Sequence, residues 1–400
     1  MIKKIVITLF VALVVLGSAY YIFSQKQKPA PLSAESETAP GVTDSQILIG
    51  SSAALTGSAG TLGTNLLSGA KVAISQINDN GGINGRKLVM ISYDDQYDPP
   101  KAVENTQKLI NEDKVFALFN YVGTPTGVKV APIVQEAKIP LVGMFTGANA
   151  FRNPLQKYIF NIRGSYYQEN ELAIKYFVDD LGLKNVAVLY QADAFGLDGL
   201  EGAKIALDKR GLKPVALGSY ERATTKVETA VDTIAKSNAQ VVIMVGTYTP
   251  LAKFVGLLKQ KKPDMLFDSV SFVGSEAFAN ELGKDTGNVY VTQVVPPSYY
   301  GALFDGVKAY TEGLQKYSPG TVPTFGGLEG YINTQVLAEG IKQAGKNLTR
   351  DGLVRALESL NNYDVGIGAN VSFSPTNHQG LDKVYLTNYS KGSFVLVPVK

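Results

Sequence analysis

Short apolar runs alternate with longer stretches of helical periodicity along most of the chain. Ile47–Gly50 is such a run, and the apolar residues that follow between positions 66 and 77 recur at the three- and four-residue spacing of a helix. A second apolar run at Lys87–Tyr93 is followed by Pro99, a residue that is typical of the first turn of a helix. Because the runs are apolar throughout, they predict parallel strands that are covered on both faces.

The same alternation continues to the carboxyl end. The further predicted strands are Phe116–Phe119, Ile139–Val142, Asn185–Tyr190, Pro214–Leu217, Val241–Val245, Val270–Gly274 and Val289–Val294. Helices are predicted at 126–137, 168–181, 199–210, 227–237, 250–259, 303–316, 330–344 and 351–360, before a hairpin formed by Lys383–Asn388 and Ser393–Val399. Two such units in series predict an α/β fold of two doubly wound, Rossmann-like lobes. The elements after them predict that the chain crosses back between the lobes.

The amino terminus has the pattern of an exported protein. Lys3 and Lys4 precede an apolar run that begins at Ile5 and reaches Phe23. This run fits a cleaved signal peptide, and it is also just long enough to remain as a membrane anchor. We therefore expect residues 1–24 to be a signal peptide or an anchor. Residues 25–45, rich in Pro, Ser, Ala and Glu, should form a flexible linker to a folded domain outside the cytoplasm.

Composition excludes several classes of function. The 400 residues carry a net charge of only +3, which is too weak to indicate a nucleic-acid partner. Cysteine is absent, which excludes disulfides, thiol catalysis, zinc–cysteine sites and a lipid-modified cysteine. The sequence has no nucleophile elbow, no phosphate-binding loop and no metal-ligand spacing, and its only histidine, His378, is expected to face solvent in a loop. We expect neither catalysis nor a cofactor nor a bound metal.

Three segments near the amino end of the folded part carry a resemblance to a known family. They are LTGSAGTLGTNLLSGAKVAISQIND (55–79), NGGINGRKL (80–88) and YDDQYDP (93–99), and QEAKIPLV (135–142) and VGSE (273–276) support them downstream. Together they resemble the branched-chain amino acid-binding (Leu/Ile/Val-type) family of substrate-binding proteins of ABC transporters. The resemblance extends from about residue 46 to the carboxyl terminus.

The resemblance implies the type I periplasmic-binding fold, with the lobes joined by a three-strand hinge. We expect one lobe to contain residues 46–163 and 296–366, and the other to contain 164–295 and 367–400. The crossings should lie near Arg163–Gly164, Val294–Pro296 and Gly366–Ala369. The implied function is capture of a small polar solute by hinge closure and its delivery, by a monomer, to an ABC permease on the outer face of the cytoplasmic membrane.

Ligands of doubly wound sheets bind at the carboxyl ends of strands, close to helix amino termini. By resemblance, the loops after the third and fourth strands would hold a ligand carboxylate, an acid of the second lobe would pair with its amino group, and aromatic rings would flank it. The residues at these positions are Thr124, Thr146 and Gly147 for the carboxylate, Glu276 for the amino group, and Phe195 and Tyr248 for the rings. From the residues alone, helix capping by the threonines and by Glu276, and core packing by the rings, remain open.

Some positions depart from the pattern of the family and leave the ligand open. Gly123 and Pro125 stand where serines are common, and Phe145 places a bulky ring beside the expected pocket. An amino acid is the first expectation, and an amide, an aromatic acid or another carboxylate is an alternative. Asp94, Asp95 and Asp98 fit a helix cap or a turn better than a metal site.

A second function is compatible with the same fold. A sensor domain tethered by the apolar run would report ligand to a membrane receptor or kinase rather than to a permease. A cytoplasmic repressor with this fold is disfavoured, because the sequence has an export pattern and no helix-turn-helix.

Overall fold

Two β-sheets organise the part of the chain that the computed structural model describes, residues 39–283 and 286–398. The strands of the first sheet are β1 (Gln46–Ala53), β2 (Lys87–Asp94), β3 (Ala117–Phe119), β4 (Leu141–Val142) and β5 (Ile159–Phe160). Their spatial order is β2-β1-β3-β4-β5, and every pairing is parallel. The first four confirm predicted strands, whereas β5 was not predicted because two residues give no readable pattern.

The second sheet is longer and ends in an antiparallel hairpin. Its strands are β6 (Val186–Gln191), β7 (Ala216–Tyr220), β8 (Val241–Val245), β9 (Leu266–Ser269), β10 (Val289–Gln293), β13 (Tyr385–Ser390) and β14 (Ser393–Leu396), and the short strands β11 (Tyr363–Asp364) and β12 (Asn370–Val371) pair separately. The order is β14-β13-β10-β9-β8-β6-β7, in which only β13 and β14 run antiparallel to their neighbours. The predicted α/β fold with two lobes and the carboxyl-terminal hairpin are confirmed.

Eleven α-helices connect or flank these strands in the described ranges. They are α1 (Gly60–Asp79), α2 (Pro99–Asn111), α3 (Thr124–Glu136), α4 (Tyr166–Ile174), α5 (Ala194–Asp208), α6 (Glu228–Ala235), α7 (Tyr248–Lys261), α8 (Ser275–Leu282), α9 (Asp305–Tyr317), α10 (Phe325–Ala344) and α11 (Arg350–Glu358). Helices α1 and α10 pack against each other at very short range. A Cβ added to Gly69 would lie 1.7 Å from the carbonyl oxygen of Gly327, so glycine is required where the two backbones meet.

The predicted strand Val270–Gly274 is wrong. Strand β9 ends at Ser269, and Ser271–Val273 forms a short 3₁₀ turn that Gly274 ends at a φ of +78°. The apolar residues of this segment are buried because Phe272 contacts the aromatic rings of Phe145 and Phe195, and not because they belong to a sheet. Burial by contacts between loops produced the same apolar pattern as burial in a strand.

The hydrogen bonds of Gly380 and Leu381 bear on where the chain makes its last crossing between the sheets. The backbone N–H groups of Gly380 and Leu381 donate to the carbonyl oxygens of Asn161 and Ile162, so this part of the chain follows β5 of the first sheet. After residue 381 the chain returns to the second sheet, which it re-enters at β13. These contacts favour a crossing near Leu381 rather than at Gly366–Ala369, and we propose lobe limits of 46–163 with 296–381, and 164–295 with 382–400.

The expected signal or anchor at residues 1–24, and most of the linker, lie outside the described residues. Within 39–283 and 286–398, every helix is too short or too polar to cross a membrane.

Candidate ligand-binding cleft

Aromatic rings from both lobes meet at the carboxyl edges of the two sheets. Phe145, in the loop after β4, lies with its ring centroid 5.6 Å from that of Phe272, in the turn after β9. Tyr97, which follows β2, lies 5.9 Å from the same ring, and Phe195, at the start of α5, lies 4.6 Å from it. The loops at which a doubly wound sheet binds its ligand therefore contact each other across the boundary between the lobes.

Thr124 and Thr146 come together as the sequence suggested. Their side-chain oxygens lie 2.7 Å apart, and both residues are buried. Thr124 begins α3 directly after Gly123, whose φ of +100° turns the chain into the helix. The oxygen of Thr146 also accepts the N–H of Ala148 at 3.2 Å. One hydroxyl of the pair donates to the other, so the accepting hydroxyl keeps its own proton for a third group.

Gly147 serves close packing. Its carbonyl oxygen accepts the N–H of Tyr166 at 2.9 Å, and a Cβ at this position would lie 2.6 Å from the tyrosine ring. Any side chain here would displace Tyr166, which is fully buried at the start of α4.

The two aromatic residues expected at the site lie on the second lobe. Phe195 is fully buried, with its ring between Tyr166 and Phe272, and Asp193 caps its helix by accepting its N–H at 3.0 Å. Tyr248 opens α7, and its hydroxyl accepts a long hydrogen bond of 3.5 Å from Thr61 of the first lobe. Tyr248 therefore contacts the first lobe, whereas Phe195 packs against rings of its own lobe.

Glu276 joins the lobes directly. It lies in the first turn of α8, and its Oε1 accepts the backbone N–H of Phe325, the first residue of α10, at 2.7 Å. Burial raises the pKa of the Glu276 carboxyl, and the hydrogen bond from Phe325 lowers it in part. The carboxylate lines a cavity of about 20 Å³ between the lobes, roughly the space of one water molecule. It also borders an outer groove of about 600 Å³.

A buried ion cluster behind this cavity was not predicted. The guanidinium of Arg163 is 1% exposed and lies 3.7 Å from Glu169 and 3.6 Å from Glu329. Its Nη2 donates to the hydroxyl of Ser271, and its centre lies 4.7 Å from the ring centroid of Phe145. Arg163 thus contacts both lobes from the first crossing. Its charge partners are 6 and 166 positions away, and only the first is near in sequence.

The two carboxylates that pair with Arg163 differ in the number of hydrogen bonds that they accept. Glu169 accepts the N–H of Ser271 at 2.6 Å and the hydroxyl of Thr292 at 2.8 Å. Oε1 of Glu329 accepts no hydrogen bond, and burial raises the pKa of this carboxyl to about 7, although Arg163 lowers it in part. Both oxygens of the nearby buried Asp268 also lack donors, and burial raises the pKa of this carboxyl well above its usual value, with the charge of Glu169 raising it further.

Asp94 and Asp95, at the end of β2, fix the loop that follows the strand, which is the role that the sequence favoured over a metal site. Asp94 accepts the N–H groups of Leu55 and Gln96, each at 2.9 Å, and Asp95 accepts the N–H of Tyr97 at 2.9 Å. Across the described ranges, no group of three or more His, Cys, Asp or Glu residues is arranged to hold a metal ion.

The expectation that His378 faces solvent is wrong. The side chain is buried and stacks on Phe160 with ring centroids 3.9 Å apart. Its Nδ1 lies 3.1 Å from the carbonyl oxygen of Ile159, and its Nε2 lies 3.3 Å from Glu358. The histidine therefore packs residues 370–381 against β5, away from the cleft.

Two further contacts hold the lobes together away from Glu276. Arg222 of the second lobe donates to the carbonyl oxygen of Tyr97 at 2.6 Å, and Asp198 accepts the N–H of Asn149 at 2.9 Å. Burial raises the pKa of Asp198 to about 6, with partial relief from that hydrogen bond. These contacts place the described structure in a closed arrangement of the lobes.

Comparison with known proteins agrees with this geometry. The sequence model of the family described as periplasmic binding protein matches residues 46–393. An "Amino acid binding protein" of Pseudomonas aeruginosa is 27% identical over 75% of this chain and 79% of its own length, and a "Leu/Ile/Val-binding protein homolog 3" of Brucella melitensis is 24% identical over 87% and 93%. The crystal structure of a possible leucine/isoleucine/valine-binding protein from Rhodopirellula baltica superposes with a TM-score of 0.84 at 30% identity, covering 88% of this chain and 96% of that one.

Proposed function

This chain belongs to the periplasmic binding protein family, and on that premise we propose that it captures an amino acid or a close relative outside the cytoplasm and delivers it to an ABC importer. Members of the family are solute-binding proteins. Two observations support this function best: the Thr124 and Thr146 hydroxyls pair at the carboxyl edge of the first sheet, and Glu276 of the second lobe reaches the first lobe at Phe325. Hydroxyl donors in one lobe and a carboxylate in the other suit the two charged ends of a zwitterion.

The carboxylate of the ligand would bind in the first lobe. The free proton of the Thr124–Thr146 pair can be donated to it, and the amino terminus of α3 adds a favourable dipole. Both hydroxyls are already ordered by their mutual hydrogen bond, so little side-chain freedom would be lost on binding.

The amino group of the ligand would bind Glu276 from the second lobe. In the closed arrangement Oε1 of this carboxylate accepts the backbone N–H of Phe325, and a carboxylate has room for several donors. The same side chain contacts α10 of the first lobe. Its interaction with the ligand and its interaction with α10 would therefore both stabilise the closed state. Closure is favoured only as far as the ligand binds the closed state better than the open one. For a micromolar ligand the total binding free energy is about 8 kcal/mol.

The decisive experiment identifies the ligand directly. Native mass spectrometry of the purified full chain would reveal a co-purified molecule, and calorimetry with the common amino acids would measure its affinity. We expect at least one amino acid to bind, and the Glu276→Gln variant to bind it at least tenfold more weakly. Glu281→Gln, an exposed acid on the same helix, is the matched control and should bind normally. Failure of every amino acid and amine to bind would refute the proposed function.

A further inference from the structure

A single arginine connects the loop after β4 to two of the three crossings between the lobes. Arg152 follows the short turn Asn149–Phe151, and each of its three side-chain nitrogens donates to an oxygen of a different segment. Nη1 donates to the carbonyl oxygen of Ala148 at 2.8 Å, Nη2 to that of Arg163 at 3.0 Å, and Nε to Oε1 of Gln379 at 2.7 Å. The guanidinium therefore joins the proposed ligand loop, the first crossing and the segment that precedes the last crossing.

The contact with Ala148 leads directly to the proposed carboxylate site. The N–H of Ala148 donates to the hydroxyl oxygen of Thr146 at 3.2 Å, and its carbonyl oxygen accepts Nη1 of Arg152. The backbone of one residue therefore stands between a proposed ligand residue and the guanidinium. Because Thr146 is buried and paired with Thr124, a carboxylate bound there would fix the loop to which Arg152 is hydrogen-bonded.

The contacts with the crossings restrict the hinge. Arg163 and Gly164 form the first crossing, and Nη2 of Arg152 donates to both carbonyl oxygens, at 3.0 and 3.4 Å. Gln379, which accepts Nε, itself donates to Oε1 of Gln168 at 2.8 Å, and Gln168 takes part in the cap of α4 in the second lobe. A hinge closes through changes in the backbone dihedral angles of a few residues. A donor shared by two successive hinge carbonyls therefore favours one setting of those angles.

The arrangement depends on the shape of arginine and not on positive charge alone. A guanidinium is planar and presents five donors in a fixed fork, whereas the ammonium of lysine is a point charge on a flexible stem. At position 152 the three nitrogens face oxygens of three separate segments. Lysine would keep the charge here and lose the simultaneous contacts.

We propose that Arg152 is the positioning residue that couples ligand binding at the Thr124–Thr146 pair to closure of the hinge. The inference rests on the proposed function and adds the means by which the ligand loop acts on the crossings. A carboxylate at the threonines orders the loop at Ala148, and Arg152 holds the carbonyl oxygens of the first crossing in the orientation of the closed state. The ligand thereby favours the closed arrangement through the first lobe as well as through Glu276.

The absence of cysteine from the sequence permits a direct measurement of closure. Lys129→Cys on α3 of the first lobe and Asp208→Cys on α5 of the second lobe replace exposed residues and accept a pair of spin labels on the purified full chain. Pulsed electron paramagnetic resonance then measures the distance between the labels. The ligand is the common amino acid that the wild type binds most tightly in calorimetry, and we expect saturation with it to give a single short distance.

Arg152→Lys is the test variant, and Arg350→Lys is the matched control. Arg350 donates to the carbonyl oxygens of Val115, Phe116 and Ala137, so it also joins separate backbone segments, but within the first lobe. We expect Arg152→Lys to bind the amino acid at least tenfold more weakly and to keep an open population at saturation. Arg350→Lys should bind and close as the wild type does.

Full closure of Arg152→Lys at saturation would overturn the inference and leave the proposed function standing. Equal effects of the two substitutions would also overturn it, because a general loss of stability would then explain both. If Arg152→Lys does not fold by circular dichroism, Gln379→Met decides, since it removes the acceptor of Nε and leaves the guanidinium in place. We expect that variant to keep an open population, and full closure would refute the coupling. If no amino acid binds the wild type, the proposed function fails together with the inference.

Discussion

The side chain of Glu276 accepts the backbone N–H of Phe325 at 2.7 Å and so joins helix α8 of the second lobe to the first residue of α10 in the first lobe. This single contact links a proposed ligand residue to the closed state of the cleft. A ligand that holds the carboxylate in this orientation would also stabilise the contact between the lobes.

Replacing Glu276 with alanine is expected to weaken amino-acid binding at least tenfold. The ligand ammonium would be buried without its anionic partner, and the N–H of Phe325 would lose its acceptor. Isothermal calorimetry measures the effect, with Glu281→Ala as the control. An unchanged affinity would remove Glu276 from the site.

Thr124→Val should weaken binding by about tenfold, the loss of roughly one hydrogen bond. The substitution also removes the partner of Thr146, whose oxygen lies 2.7 Å away. Thr124→Ser restores the hydroxyl and should recover most of the affinity in the same titration. If the Thr124→Val variant binds the ligand as tightly as the wild-type protein does, the ligand carboxylate lies elsewhere.

Arg163→Met is expected to destabilise the protein by about 3–5 kcal/mol, because the buried carboxylates of Glu169 and Glu329 would both lose the guanidinium with which they pair. Urea unfolding followed by circular dichroism measures the loss. Arg210→Met removes a more exposed arginine that pairs with Glu171 and Asp179, and we expect that variant to lose about 1 kcal/mol or less. Equal losses in the two variants would contradict a special role for the buried cluster.

Gly69→Ala should destabilise the protein by about 1–3 kcal/mol, since the new methyl group would collide with the carbonyl oxygen of Gly327. Gly256→Ala is the matched control, because it lies within α7 with no heavy atom near its added Cβ. That change should stabilise the protein by about 0.5–1 kcal/mol through helix propensity. Thermal unfolding of the two variants would reveal opposite shifts of Tm, and a stable Gly69→Ala protein would argue against close contact of the helices.

The pH dependence of stability should carry a contribution from Asp95. Burial raises the pKa of its carboxyl to about 6, against hydrogen bonds from Tyr97 and Ser52 that lower it, and the nearby charges of Asp94 and Asp98 raise it further. The folded state therefore binds this proton more tightly than the unfolded state, and the contribution is present at low pH and lost as the pH rises from about 4 to 6. We expect the free energy of unfolding in urea to change less between pH 5 and pH 8 in the Asp95→Asn variant than in the wild type. An identical difference would place Asp95 outside this linkage.

The sequence predicted most of the secondary structure because burial in a sheet leaves a local record. Strands such as Val241–Val245 are apolar throughout and were found where they were predicted. Thr124 and Thr146 were also found together, because each follows a strand and adjacent parallel strands end at one edge. An apolar run does not distinguish a buried strand from a loop that is buried by other loops. The segment around Phe272 was therefore mistaken for a strand.

The amino-acid sequence by itself determined the α/β class, the two lobes and the family, since periodicity and short motifs are local properties of the chain. Only the tertiary structure revealed the ion cluster of Arg163, Glu169 and Glu329, the burial of His378 and the contact between Glu276 and Phe325. The physical reason is that charge compensation and hydrogen bonding depend on distances of a few ångströms between residues far apart in the chain. Sequence spacing alone does not specify such distances.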